Sequence, residues 1–533
     1  MNNAHGLLGG MIALLASFAG AGCAGSWYTP GIQRTPVVEA DLLSPDSVLV
    51  VAGPEYQAGW LHRLFFGDHY RDAWTATVEV ERLDLATEAG GLIPYEAGGG
   101  FQTKSLKFKG RTGGTFKFRS TEKDPTAVLP YELQRTFAAD LSQDHISTSH
   151  PAAAIVVDSL AAAAGIPRLS SRLVYLPDDP ALGEFRERFG GLLGVFECYP
   201  DDGFLGCEKV QNTIKVFRQM DEDSRDRVDA EAFLLARYLD ILVGDWDRHV
   251  KQWKWLRYRR DGQKVWHPVP LDRDMAFVRL DGVFPWIASM SVTQFSHFDQ
   301  RIENIYKLTF SGQYLDRRIL SGLAWGAWDS IATAFTSRLT DGVIEGAVRR
   351  LPAPYLARDG ERLSAALKSR RDRFGETARA FYCQLAAFVD VRLSDKREYV
   401  RVHRHPDGRV AVTAWLWDKD AGSPIGAPVF SRTFETRTTK EIRVYCGGKD
   451  DRVVLEGETE ESICVRVVGG TGDDELIDSS AVRGPVLGFL PIRTSHTMTF
   501  FYDDAGDNLI VPGPGTCVDT TPFTAPYGGQ PQY

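Results

Sequence analysis

Between Gly244 and Phe277 the chain reads GDWDRHVKQWKW, then two strand-like stretches joined across Asp261-Gly262, then HPVPLDRDMAF. Asp-Gly between two such stretches is a strong hairpin signal. A hairpin returns its second strand to the place where the first began. The acidic run Asp245-Trp246-Asp247-Arg248-His249 is thereby set beside the later pair Asp272 and Asp274. Carboxylates gathered in this way repel unless cations neutralise them, so the fold must supply a divalent metal, basic side chains, or both.

The upstream elements arrive in an order that suits phosphoryl transfer from a nucleotide, which is catalysed by positioning and by neutralising phosphate charge. Gly98, Gly99 and Gly100 form a turn whose backbone N–H groups could approach phosphates. In Phe116-Lys117-Phe118-Arg119 a strand sets the aromatics on one face and the cations on the other, so Lys117 and Arg119 either project into a cleft or form the solvated face of an amphipathic strand. Helical spacing of Val228, Leu234, Leu235, Tyr238, Leu239 and Leu242 predicts a helix over 221–243. That helix runs into Asp247, the candidate for orienting an acceptor hydroxyl. Gln252 reaches a metal or phosphate, Asp272 is the expected metal ligand, and Asp274 follows it on the same side.

GDWDRHVKQW followed by HPVPLDRDMAF resembles the active-site core of the atypical protein-kinase-like families: spore-coat, secretory-pathway, HipA-type and phosphatidylinositol kinases. It also resembles a group of exported bacterial proteins with the same GDWDRH and DRD segments. The resemblance implies an α+β fold with a bilobal core, a small β-rich N-lobe and a helical C-lobe, followed by a small all-β C-terminal domain. It further implies ATP with Mg²⁺ or Mn²⁺, Asp247 as catalytic aspartate, His249 as a loop-stabilising histidine, Asp272 as metal ligand and Glu197 near the adenine edge. The pattern is departed from at three places. Gln252 stands where the families have Asn, Arg119 stands where Lys is usual, and Glu132 and Asp144 both qualify as its helix partner. Such departures leave an inactive, pseudokinase-like binding protein as the alternative. A metal-dependent hydrolase using Asp247, His249, His267, Asp272 and Asp274 is a third reading, with no HxH or HExxH spacing behind it. The 245–249 run also reads as a buried salt-bridge knot, and Trp246, Trp253, Trp255 and Trp266 as core and cleft walls.

The remaining expectations concern organisation. The 16 residues 7–22, LLGGMIALLASFAGAG, precede Cys23 and look like a lipoprotein signal, with Cys23 lipidated and the body exported and held at the cell envelope. Residues 1–22 are read as signal, 23–46 as tether, 47–200 as an N-lobe-like region, 201–395 as a helical C-lobe-like region, 396–485 as a β domain and 486–533 as a loosely ordered Pro/Gly-rich tail. GGTGDDELI at 469–477 matches a calcium-binding nonapeptide pattern, with a degenerate copy about 22 residues upstream. Two imperfect copies fall short of a calcium stack, so packing is expected there and not Ca²⁺. Six cysteines remain after Cys23; Cys198 with Cys207, and Cys446 with Cys464, are close enough to close small loops, and the pairing is open. A net charge of −9 argues against nucleic acid as a partner. The expected partners are a membrane and a protein or small-molecule acceptor.

Overall fold

The computed structural model describes residues 28, 31–38, 46–98, 102–134, 136–260, 263–485, 493–503 and 505–523. Cys23, Gly99, Gly100 and the Asp261-Gly262 turn lie outside the described residues.

Seven strands form a mixed sheet: β1 (Ser47–Val51), β2 (Thr77–Arg82), β3 (Leu92–Gly98), β4 (Thr103–Gly110), β5 (Thr115–Lys123), β6 (Arg172–Leu176) and β7 (Leu192–Cys198). Their spatial order is β1-β2-β6-β7-β5-β4-β3. Alternating burial in β1 and β2 sends Val48, Val50, Val78 and Val80 to one face. Leu106, Phe108, Phe118 and Phe196 fill the other. The first face packs on the helix Ala153–Ala164, whose alanines permit close approach and which ends at Gly165 with φ +82°.

Behind it lies the helix Ala230–Val243, buried along most of its length, with Phe335, Phe374 and Trp328 around Tyr238. The expected helix over 221–243 is interrupted. Helices Thr213–Glu222 and Ala230–Val243 flank the short strand β9 (Arg227–Val228). The cause is Asp229, whose carboxylate accepts the Ala232 N–H at 3.0 Å and so starts a new helix. One hydrophobic core runs without a break from Val50 and Trp74 to Trp328 and Tyr382. The hairpin forms as expected: β10 (Trp253–Arg260) pairs antiparallel with β11 (Gln263–Pro270), flanked by β8 (Lys209–Asn212) and β9.

From Phe388 onward the chain has its own core, a coil of parallel strands extended at one edge by the antiparallel strands Glu398–Arg404, Val410–Asp418 and Ser423–Phe434. Phe388–Arg392, Glu441–Tyr445, Cys464–Val468, Thr499–Tyr502 and Thr516–Asp519 stack in one sheet. Arg452–Glu456, Glu475–Asp478 and Leu509–Val511 stack in a second. The two glycine-aspartate copies seen in the sequence are its turns, joined by a bridge between Gly448 and Thr471. Residues 493–519, expected as a loose tail, instead add strands to both sheets, because the coil edge offers unpaired backbone groups. The tether reading also needs correction: Tyr28 is buried and Val37 bridges to Val50. Among the described residues all six cysteines are thiols, and no helix is long and apolar enough to cross a membrane.

Candidate functional site

The hairpin sets the two acidic turns side by side, and Arg248 bolts them together. Its guanidinium donates to Leu271 O at 2.7 Å, Asp272 O at 2.9 Å and Gln252 O at 3.3 Å. It also meets the Asp240 and Asp245 carboxylates at 3.2 and 3.5 Å and lies 4.8 Å from the Trp253 ring centroid. Arg273 reaches back from the second turn to Asp240. The 245–249 run is therefore split by function: Asp245 and Arg248 point inward and form the buried knot, while Asp247 and His249 stand half-exposed. Burial is the main reason Asp245 is pushed up to about 8, with Asp247, Asp274 and Asp272 adding to it. All four carboxylates thus share one electrostatic neighbourhood.

Asp272 occupies left-handed backbone, φ +54°, which a non-glycine residue adopts at a cost. That conformation aims its side chain at β5, where it forms an ion pair with Arg119. Gln252 Nε2 donates to Asp272 Oδ2 at 3.2 Å. The other oxygen, Oδ1, is buried with no hydrogen-bond partner. Burial alone would raise the Asp272 carboxyl, but Arg119 and Lys123 outweigh it and hold the group well below the carboxylate range. Asp274 pairs with Lys123 Nζ at 2.7 Å and lies 3.9 Å from Arg119.

The strand alternation read from the sequence holds on β5. Phe118 is fully buried, and Phe116 stacks on Phe196 at 5.4 Å, while Lys117, Arg119 and Lys123 share the opposite side. Burial, then the neighbouring Arg119, lowers Lys117 to about 8. Glu197, expected beside an adenine edge, is instead the cross-strand partner of Lys117. It is buried and accepts from Ser171 Oγ at 3.2 Å. Gly98 pairs with Ser105, and Ser105 pairs with Arg119, so the last described residue of β3 lies level with Arg119 in the middle of β5.

Neither expected helix partner of Arg119 is used. Glu132 sits exposed in a 3-10 turn, and Asp144 is held by Arg71, His62 and Tyr28. His249 caps its own loop, Nδ1 accepting the Lys251 N–H at 3.1 Å, and stands 3.7 Å from Asp247. His267 is drawn off to Asp229 at 3.4 Å, which removes it from the acidic turns. Trp253, Trp255 and Trp266 are core, and Trp246 packs on Phe295 at 5.9 Å.

Lys123 was missed although it continues the alternation of Lys117 and Arg119. Tyr199 was missed too: the ammonium groups of Lys107, Lys254 and Lys117 lie 5.0, 5.4 and 5.7 Å from its ring centroid. Nothing in the local sequence brings those three lysines together; the strand order does.

As placed, Asp272 and Asp274 are neutralised by Arg119 and Lys123, and among the described residues no group of three or more His, Cys, Asp or Glu forms a metal cage. The donor set still suits a hard cation: carboxylate and amide oxygens, one of them buried and unpartnered.

No family model matches the chain, and no curated protein matches it. Among solved structures it is similar to a Helicobacter pylori proinflammatory kinase, CtkA, at 12% identity. That match covers 55% of this chain and 96% of the other, with a TM-score of 0.31, a likeness too slight to fix the fold.

Proposed function

We propose that this chain is an ATP-dependent, kinase-like phosphotransferase with a bilobal core, exported and carried at the cell envelope by a lipid on Cys23. The observation that carries the reading is the register Gly98–Ser105–Arg119, which sets Gly98, the residue just before the remaining glycines, level with a cation already facing Asp272. Arg119, Lys117 and Lys123 would neutralise the nucleotide phosphates, Arg119 exchanging Asp272 for phosphate oxygens. Asp272, through Oδ1, with Gln252 and Asp274, would hold Mg²⁺ or Mn²⁺, which supplies charge stabilisation to the transferring phosphoryl group. Asp247 would accept the acceptor's hydroxyl proton, since it stands half-exposed and, among the described residues, forms no ion pair with arginine or lysine. Arg248 positions Asp247 and Asp272 relative to one another through the backbone of both loops.

One observation favours the second reading, a non-catalytic binding protein. The closed Arg119–Asp272 and Lys123–Asp274 pairs neutralise the site without any ligand.

Thermal unfolding of the full chain with ATP and Mg²⁺ or Mn²⁺, together with γ-phosphate transfer or release, separates them. Wild type and Asp247→Asn should both be stabilised, by about 2.7 kcal/mol at a hundred times the dissociation constant. Asp272→Asn should lose that gain, and only the wild type should turn over. Stabilisation of all three without turnover would select the binding protein, and no stabilisation of any would end the nucleotide reading.

A further inference from the structure

Two short helices far apart in sequence form an apolar face with nothing over it among the described residues. Trp60–Phe66, WLHRLFF, buries none of its residues. Beside it lies Val283–Ser291. Phe284 meets Phe65 at 5.8 Å and Phe66 at 5.1 Å. The chain can bring them this close because Gly67 and Gly282, with φ of +100° and +95°, touch backbone to backbone where a Cβ would collide. Outward project Trp60, 77% exposed, Leu61, Leu64 and Phe65 from the first helix. From the second come Trp286, 58% exposed, Ile287 and Met290, 62% exposed. Isolated exposed apolar residues are ordinary; a contiguous group of this size on two adjoining helices marks a contact surface.

The route of the chain says what that surface meets. The Tyr28 hydroxyl donates to Asp144 Oδ1 at 2.5 Å, and the same oxygen lies 3.0 Å from His62 Nε2, in the middle of the first helix. Tyr28 is thereby tied to the inner side of the first helix. Cys23 precedes Tyr28 by five residues, a reach of at most about 17 Å, and the apolar residues 7–22 come before it. A segment suited to a bilayer thus precedes, by a short reach of chain, the residue tied to the helix that carries this face.

We infer that this two-helix face rests on a lipid bilayer, with Trp60 and Trp286 entering the headgroup and upper acyl region. Bulky Leu, Ile, Phe and Met with flanking Trp is the composition that partitions there. A second contact of this kind fixes the orientation of the body on the membrane. The inference rests on the face, on Tyr28 and on the apolar run that precedes it in the sequence, and is independent of the nucleotide reading.

The test is hydrogen exchange of the full chain with Cys23→Ser, alone and on phosphatidylethanolamine–phosphatidylglycerol vesicles, with acyl-brominated lipid as a quencher of tryptophan fluorescence. On vesicles, amides of 60–66 and 283–291 should gain protection. The quenched amplitude should fall in the Trp60→Phe, Trp286→Phe variant. Leu64→Glu with Met290→Glu should abolish the protection while core strands exchange as before, which shows that the variant is folded. Bound protein with neither protection nor quenching at these positions overturns the inference. So does protection already present without vesicles: with a doubled mass it identifies a second copy as the occupant, and with a single mass it identifies residues 7–22.

Discussion

At the scale of residues, charge sorting decides what each acid can do. Asp240, Asp245, Asp272 and Asp274 are all met by arginine or lysine, while among the described residues the ion-pair contact of Asp247 is with His249. Removing one member of a fully buried ion pair leaves the other uncompensated. Arg248→Met should therefore cost about 3–5 kcal/mol in urea unfolding, because Asp245 loses its nearest cation and the buried Leu271 and Asp272 carbonyls lose their donor, while Asp240 keeps Arg237 and Arg273. Asp247→Asn, half-exposed and weakly engaged, should stay within about 0.5 kcal/mol of wild type and yet lose phosphotransfer. Equal stability losses in the two variants would mean that Asp247 is part of the knot. The acidic run was visible in the sequence, but its division into an inward Asp245–Arg248 and an outward Asp247–His249 was not. That division depends on the Leu271 and Asp272 carbonyls, which arrive from the far side of the hairpin.

At the scale of elements, the C-terminal coil carries the clearest dependence on pH. Two aspartate ladders tie its turns together. Asp473 N–H donates to Asp450 and Asp507 N–H to Asp473; inside, Glu398 N–H donates to Asp451 and Asp451 N–H to Asp474. Each inner acid spends one oxygen on a neighbouring turn, and Asp451 Oδ2, Asp474 Oδ2 and Glu398 Oε2 are buried without a partner. Burial pushes Asp474 up to about 6, Glu398 to about 7 and Asp451 to about 10. An acid whose folded pKa is raised holds its proton in the folded state after the unfolded chain has released it. The coil should accordingly lose stability as pH rises from about 4, levelling off only above each raised value. Hydrogen exchange of strands Glu441–Tyr445 and Cys464–Val468 should show wild type weakening between pH 5 and 8.5, with Asp451→Asn falling less steeply. A variant as steep as wild type would remove Asp451 from the account. The repeat that builds this coil was legible as two glycine-aspartate copies. Its third turn, at 503–508, was hidden because the spacing stretches and the pattern there reads DDAGDN.

At the scale of the whole molecule, local periodicity foretold the strands, the hairpin and the buried tryptophans, because each depends on neighbours in sequence. It did not foretell the docking of Tyr28, the tyrosine ringed by lysines or the place of Glu197, because those depend on which strands lie side by side. The central claim is that the Arg119–Asp272 pair is a closed form of a site that opens to a nucleotide and a divalent cation. Anomalous diffraction from crystals of the full chain grown with Mn²⁺ and a non-hydrolysable ATP analogue tests it most directly. A manganese peak bound by Asp272 and Gln252, with Arg119 moved onto phosphate, is the predicted result. Arg119 still paired with Asp272, and no metal beside it under saturating ligand, would contradict the claim.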